Sequence, residues 1–330
     1  MNDQAELRSP PLLDAGRFDP VAEHSWTLPA HWYSAPEIYR LEHAAIFYRT
    51  WCYLGHVSDI AAPGDRIAGA VADRGVIAMR GEDGEIRAFC DADRKPVRIE
   101  AYGGFLFVNL DADAAPLVEQ APKFLRDMYA YCPRLDDLVR AERHEVVVAA
   151  NWKTVIDNNH ECYHCAANHK TLMEMVDYQS KAHWSDDGIT FSHVVERKSL
   201  DSGAYALDAA DAQQDSLFGY VWPTLIPLFW PGSPGAVLFQ VVPTGPETTC
   251  ERWDFYFTSR EPSERERRLV DYIKNVLIGE DVSLCEKVQK GLNSRGYNQG
   301  RLVVDRARTD FSEHHVHFFQ KFVHDALMSA

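Results

Sequence analysis

Apolar positions along the 330-residue chain change period several times, and each change marks an element. The first ~35 residues are rich in Pro, Asp and Ala without a period, which predicts an extended arm. SAPEIYRLEHAAIFYRTW, from Ser34, then sets Ile38, Leu41, Ala45 and Phe47 at helical spacing behind a serine suited to capping, so a helix is expected. Short alternating or apolar runs follow: RIAGAVA, GVIAMRG, EIRAFC and GGFLFVNL, with EDGE at 82–85 as a hairpin turn. They predict a small β unit over about 60–110.

Beyond residue 141 the pattern is mixed. HEVVVAANWKTVI reads as a strand running into a helix, and ITFSHVVERKSL, GAVLFQVVPTG and ERWDFYFTSR read as strands. PSERERRLVDYIKNVLIGEDVSLCEKVQKGL has the periodicity of one long or broken helix. FSEHHVHFFQKFVHDAL predicts a terminal helix with Val316, Phe319, Val323 and Leu327 on one face, a cap-like entry at Ser312 and Glu313, and HHVH as its solvated start. The aromatic run FGYVWPTLIPLFWPG, 218–232, reads mainly as core, with a pocket wall or cation-binding cage as the alternative. The fold class is therefore α+β: an all-β unit followed by a mixed domain ending in a long helix.

Composition narrows the function classes. A net charge of −15 argues against nucleic acid and anionic membranes as partners. No window approaches the ~18 apolar residues of a membrane span, and the first twenty residues lack a signal-peptide pattern, so a cytoplasmic protein is expected. Seven scattered cysteines suit reduced thiols better than a disulfide framework.

The candidate chemistry sits in NNHECYHCAANHK, residues 158–170, which holds three histidines, two cysteines and a carboxylate. On a helix Glu161 and His164 share a face, whereas His169 converges with His164 only across an irregularity or a helix end. Two imidazoles and one carboxylate with open positions form the facial set of non-heme Fe(II) sites, and Asp281 or Glu286 could supply a distant carboxylate. Competing readings are surface histidines with buried thiols, a structural zinc site of Cys162, Cys165, His164 and His169, and a cysteine nucleophile paired with a histidine.

NWKTVIDNNHECYHCAANH resembles the iron-binding segment of Rieske-type non-heme iron oxygenase α subunits: N-W-K, then D/E-N, an acidic residue and two histidines five apart. FLFVNLD, VVPTGPETT, GEDVSLCEKVQKGL and SEHHVHFFQKFV match further blocks in the same order, from about residue 32 to the end, and the wording is most similar to the branch acting on quaternary amines such as glycine betaine, choline, carnitine or proline betaine. The resemblance implies His164, His169 and Asp281 as ligands of a mononuclear Fe(II), Asn158 beside the iron, and Glu161 as the acid that passes electrons from a neighbouring subunit. It also implies a helix-grip catalytic domain, a curved antiparallel sheet around a long C-terminal helix. The expected division is 1–40 arm and helix start, 41–115 shortened Rieske-like β domain, and 116–330 catalytic domain.

A Rieske centre needs C-x-H and, further on, C-x2-H. The sole C-x-H here is Cys162-x-His164, inside the iron segment, and Cys90 stands alone. No iron–sulfur cluster is expected in this chain. The implied function is O2-dependent hydroxylation or N-demethylation of a small quaternary-ammonium substrate. Electrons would come from a reductase or a Rieske-bearing partner subunit, and the family implies a homo- or hetero-trimer. The rival readings are a non-catalytic, regulatory subunit of such a complex and a structural zinc protein.

Overall fold

The structure is a computed structural model; it describes residues 11–177, 183–211, 213–232, 235–309 and 311–330. The first helix, Pro36–Ala45, starts with Ala35 at the cap position and Pro36 in the first turn, with no side-chain cap. The expected cap by Ser34 therefore fails: proline, which has no N–H and a fixed φ, opens the helix instead.

Strands β1 (Cys52–His56), β2 (Arg66–Val71), β3 (Arg74–Arg80), β4 (Ile86–Cys90), β5 (Pro96–Tyr102) and β6 (Phe105–Asn109) form one antiparallel sheet, ordered β1-β6-β5-β4-β3-β2. The sheet curls until its edge strands approach. A Cβ on Gly55 of β1 would meet the Ile67 side chain of β2 at 2.2 Å, so glycine there lets the two strands pack closely. Both hairpins that follow β4 are tight. β4 and β5 are joined by Asp91–Lys95, closed by Cys90 N to Lys95 O at 2.9 Å, and β5 turns into β6 through Gly103 and Gly104, both at positive φ. The sequence pattern missed β5, because PVRIEAY alternates only weakly and follows a charged turn.

The second sheet contains β7 (Val139–Val148), β8 (Val176–Asp177), β9 (His183–Asp187), β10 (Thr190–Arg197), β11 (Ser216–Val221), β12 (Leu225–Phe229), β13 (Ala236–Gly245) and β14 (Thr248–Phe257). Its order is β7-β14-β13-β12-β11-β10-β8, antiparallel throughout, with β9 also paired to β10. The aromatic run at 218–232 supplies β11 and β12 of this sheet. The terminal helix His314–Met328 packs on it with Val316, Phe319, Val323 and Leu327 buried. Phe319 meets Trp152, Tyr220 and Trp222 edge-on or tilted, so this helix is the core against which the sheet curves. His315 and His317 are buried too, so the expected solvated start of this helix is wrong: β10 and the N-terminal arm cover it, with Phe191 stacked on His315 and Asp19 O 2.8 Å from His317 Nε2. Entry to the helix lacks a side-chain cap: Glu313 instead accepts from Val303 N, and Ser312 Oγ lies 2.8 Å from His314 Nδ1.

Residues 264–292 form one continuous rod. Glu264–Tyr272 is α-helical behind a Ser263/Glu266 capping box, Ile273–Leu277 is a π turn, and Ile278–Leu292 is α-helical again. The π turn shifts the rotational register just before Asp281, a placement common at functional sites.

Candidate metal centre

Two helices packed on each other, Trp152–Asn159 and Ile278–Leu292, bring the site together. Trp152–Asn159 begins at Asn151, whose side chain accepts from Lys153 N. Lys153 and Glu42 form an ion pair with both side chains fully buried, and Trp152 Nε1 donates to the same carboxylate at 2.8 Å. Gln289 on the long rod accepts from Asn151 N at 2.9 Å and from Thr154 Oγ1 at 3.3 Å. These bonds fix the rod against the helix that leads into the histidine segment.

After Asn159 the chain leaves the helix, and His164 lies in the following turn. A single helical turn, Cys165–Asn168, then carries the backbone to His169, where a second short helix, Lys170–Met175, begins. This break is the irregularity that a five-residue separation requires. His164 Nε2 and His169 Nε2 lie 3.1 Å apart, and Asp281 Oδ1 sits 3.0 Å from His169 Nε2 and 3.5 Å from His164 Nε2. Donors at right angles about one ion, each about 2.1 Å from it, are about 3 Å apart, so this triangle fits one face of a metal's coordination shell.

The remaining ring nitrogens strengthen the fit. His164 Nδ1 lies 2.5 Å from Glu161 Oε1, and His169 Nδ1 lies 2.8 Å from Glu280 Oε2. A carboxylate on Nδ1 holds the proton there and leaves Nε2 as the lone-pair donor, the arrangement that orients metal-binding imidazoles. Asn158 Nδ2 donates to Asp281 Oδ1 at 2.9 Å. Burial works against charge on His164, but hydrogen bonds to Asp281 and Glu161 outweigh it and bring the imidazole up to about 9. Burial likewise opposes ionisation of Asp281, yet its bonds to both histidines and to Asn158 hold it at about 2. The cluster is thus a strong anion-plus-imidazole trap for a cation, and protons occupy it when nothing else does.

All five expected site residues, Asn158, Glu161, His164, His169 and Asp281, converge here. Glu286 does not; its carboxylate accepts from Ala149 N. Glu280 went unnoticed in the sequence because its neighbour Asp281 was the obvious acid of that turn. The cysteines need a correction. Cys162 and Cys165 form a disulfide, whereas the other five are free. Two cysteines three apart in a turn fall within bridging distance, with Cα atoms 4.9 Å apart. Cys165 Sγ lies 3.9 Å from His164 Nε2 but has no thiolate to offer, so the zinc set is not assembled.

A cavity opens on the triad, with about 90 Å³ of space open to water, enough for a small molecule. Phe218, Trp230, Phe239, Trp253 and Leu277 line it, together with His160, His193 and Glu251. Residues of the aromatic run thus serve as sheet core and as cavity wall at once.

Among proteins of known function, the chain is similar to the carnitine monooxygenase oxygenase subunit of Acinetobacter baumannii, at 29% identity over 91% of this chain and 94% of that one. The alignment spans 351 positions, more than the 330 residues present here, so part of the relative has no counterpart in this chain. The glycine betaine monooxygenase oxygenase subunit of Chromohalobacter salexigens is 25% identical over 84% of this chain and 81% of its own. A crystal structure of the quaternary ammonium Rieske monooxygenase CntA matches with a TM-score of 0.85 at 26% identity, covering 94% of this chain and 99% of that one. Naphthalene 1,2-dioxygenase from Rhodococcus shares the fold, with a TM-score of 0.75 at 15% identity over 92% and 94% of the two chains. The catalytic-domain model of ring-hydroxylating alpha subunits matches residues 135–329, which carry His164, His169 and Asp281, and the chain belongs to that family.

Proposed function

We propose that this oxygenase performs O2-dependent hydroxylation or N-demethylation of a small quaternary-ammonium compound at one Fe(II) held by His164, His169 and Asp281. The observation that carries the reading is the 3.0–3.5 Å triangle of two Nε2 atoms and one carboxylate oxygen at the end of an aromatic-lined cavity. Iron held by these three residues would supply the O2 and electron chemistry. The protein does the rest. Glu161 and Glu280 hold the Nδ1 protons of the two imidazoles, Asn158 fixes the Asp281 carboxylate, and Trp230, Trp253 and Phe239 present apolar faces that hold a methylated ammonium and exclude water. The relatives named for carnitine and glycine betaine support the substrate class.

Electrons, on this reading, come from a separate Rieske-bearing partner with its reductase, and Glu161 is the acid through which they arrive. Residues 41–115 are then a shortened Rieske-like domain, 116–330 the catalytic domain and 1–40 the arm and helix start, assembled as a trimer in the cytoplasm. Support lies in the five-residue link between β4 and β5 and the glycine turn between β5 and β6, which leave no loops for two Cys and two His. Among the described residues no helix is long and apolar enough to cross a membrane.

The test combines metal and sulfide analysis with turnover. Purified protein should hold one iron and no acid-labile sulfide. It should consume O2 and release aldehyde from quaternary amines only with a Rieske-bearing donor, or with hydrogen peroxide in place of O2 and electrons. Two further irons with sulfide, or zinc on Cys162 and Cys165, would overturn the reading.

A further inference from the structure

Among the described residues the only disulfide, Cys162–Cys165, brackets the ligand His164. Both cysteines are buried and both line the cavity. Cys165 Sγ lies 3.9 Å from His164 Nε2, and it belongs with His164 and His169 to a set of donor atoms all within 4.8 Å of one another. Cys165 and His169 stand four apart across the single helical turn Cys165–Asn168, so their side chains fall on one side of it. A nitrogen at about 2.1 Å and a sulfur at about 2.3 Å from one ion lie about 3.1 Å apart at right angles and about 4.4 Å apart when opposite. The Cys165 sulfur already sits inside that interval. Its bond to Cys162 denies it the thiolate form, which is the form that binds metals.

The turn itself does not depend on the bridge. The Glu161 carboxylate accepts from Tyr163 N and His164 N, Cys162 O accepts from Cys165 N at 3.1 Å, and Cys165 O accepts from His169 N at 2.8 Å. Opening the S–S bond therefore leaves the Cys165 backbone in place beside the triad. On the cytoplasmic reading above the bridge is also out of the ordinary, because the cytosol keeps thiols reduced and the disulfides found there are mostly transient, catalytic or redox-sensing.

We infer that Cys165 is a redox-gated fourth donor of this centre. With the bridge closed, a metal meets three protein donors, His164, His169 and Asp281; with it open, the Cys165 thiolate joins them. Two imidazoles, a carboxylate and a thiolate make a closed four-donor set of the kind that suits zinc or cobalt, whereas the three-donor set keeps positions open. The inference rests on the three-donor reading above. A small thiol or phosphine that enters by the cavity opens the bridge. With a phosphine, phosphorus takes the oxygen of a water and becomes the phosphine oxide, the S–S bond receives the two electrons, and the two protons of that water end on the sulfurs. The Cys165 proton leaves when its sulfur binds the metal.

Cobalt(II) reports the donor set without turnover, because a cobalt–thiolate bond adds a strong near-ultraviolet absorption that nitrogen and oxygen donors do not. Air-oxidised protein should count five free thiols when denatured, and seven after treatment with tris(2-carboxyethyl)phosphine. Metal-free oxidised protein should bind cobalt without the thiolate band. Reduced protein, freed of phosphine and kept anaerobic, should show the band and bind cobalt at least about tenfold more tightly. Cys162→Ser should show it with no reductant, and Cys165→Ser should lack it in either condition. A band in the oxidised protein, no band in the reduced protein, a band retained in Cys165→Ser, or seven free thiols before reduction would each overturn the inference and leave the three-donor reading standing. Cobalt that fails to bind the oxidised protein, or that binds His169→Ala equally well, would overturn the three-donor reading itself. Wild type in its two states decides the question even if a serine variant does not fold.

Discussion

Removing Glu280 tests the centre without touching a ligand. Its carboxylate accepts from His169 Nδ1 at 2.8 Å, and that imidazole is 2% exposed. Glu280→Ala therefore strips a nearly buried ring N–H of its acceptor and frees the ring to tilt its Nε2 away from the triad. Loss of such an orienting partner costs about 10- to 100-fold in metal affinity, or about 1.4 to 2.8 kcal/mol. The Glu280 side chain is 30% exposed, so water can enter its place and satisfy the N–H, which puts the expectation in the lower half, about 10- to 30-fold. Glu280→Gln keeps an acceptor oxygen without the charge and should fall between that variant and wild type. Anaerobic Fe(II) titration against a competing chelator reads these constants. Asp281→Ala sets the upper mark, since it removes one of the three converging donors, and Glu286→Ala the lower, since that carboxylate meets only Ala149 N. A Glu280→Ala constant within twofold of wild type would refute the orienting role. A loss as deep as that of Asp281→Ala would make Glu280 itself a ligand.

Glu161→Gln keeps an acceptor for His164 Nδ1, so iron should stay within about tenfold of wild type while turnover driven by a Rieske-bearing donor is lost; equal losses of iron and turnover would reduce Glu161 to an orienting group. Glu42→Gln leaves the fully buried Lys153 ammonium without its counter-charge and should cost about 3 to 5 kcal/mol in urea unfolding, with Glu42→Leu/Lys153→Met recovering most of it; a change under about 1 kcal/mol would show that water reaches the pair. Burial outweighs the bonds from Tyr33 and Gln320 and raises the Asp157 carboxyl from 3.8 to about 7, so the fold favours its neutral form. That contribution is complete below about pH 4 and is lost as pH rises through 7, so Asp157→Asn should gain stability relative to wild type between pH 4 and pH 8; a constant offset across that range would show Asp157 ionised throughout.

Much of this protein was legible in one dimension. Helical spacing announced the terminal helix through Val316, Phe319, Val323 and Leu327, and apolar runs announced β13 and β14, because burying one face is a local demand that repeats along an element. The histidine segment stood out by density, and ordered blocks on either side of it carried the family. The limits begin where a side chain's meaning depends on a distant neighbour. Glu280 reaches His169 from 111 residues away, and a π turn and the Gln289 tether, neither visible as a period, set the angle of the rod that delivers it. His315 and His317 looked solvated because histidine is polar, but β10 and the arm cover them. Cys162 and Cys165 looked like thiols in a scattered set until the turn brought them together. Glu251 had the clearest local signal, an acid on the inward side of a buried strand, yet alternation tells only which way it points. That it lines the cavity beside the ligand triad is a property of the assembled sheet, since the cavity exists only after β11 to β14 curve around the helices that carry the ligands.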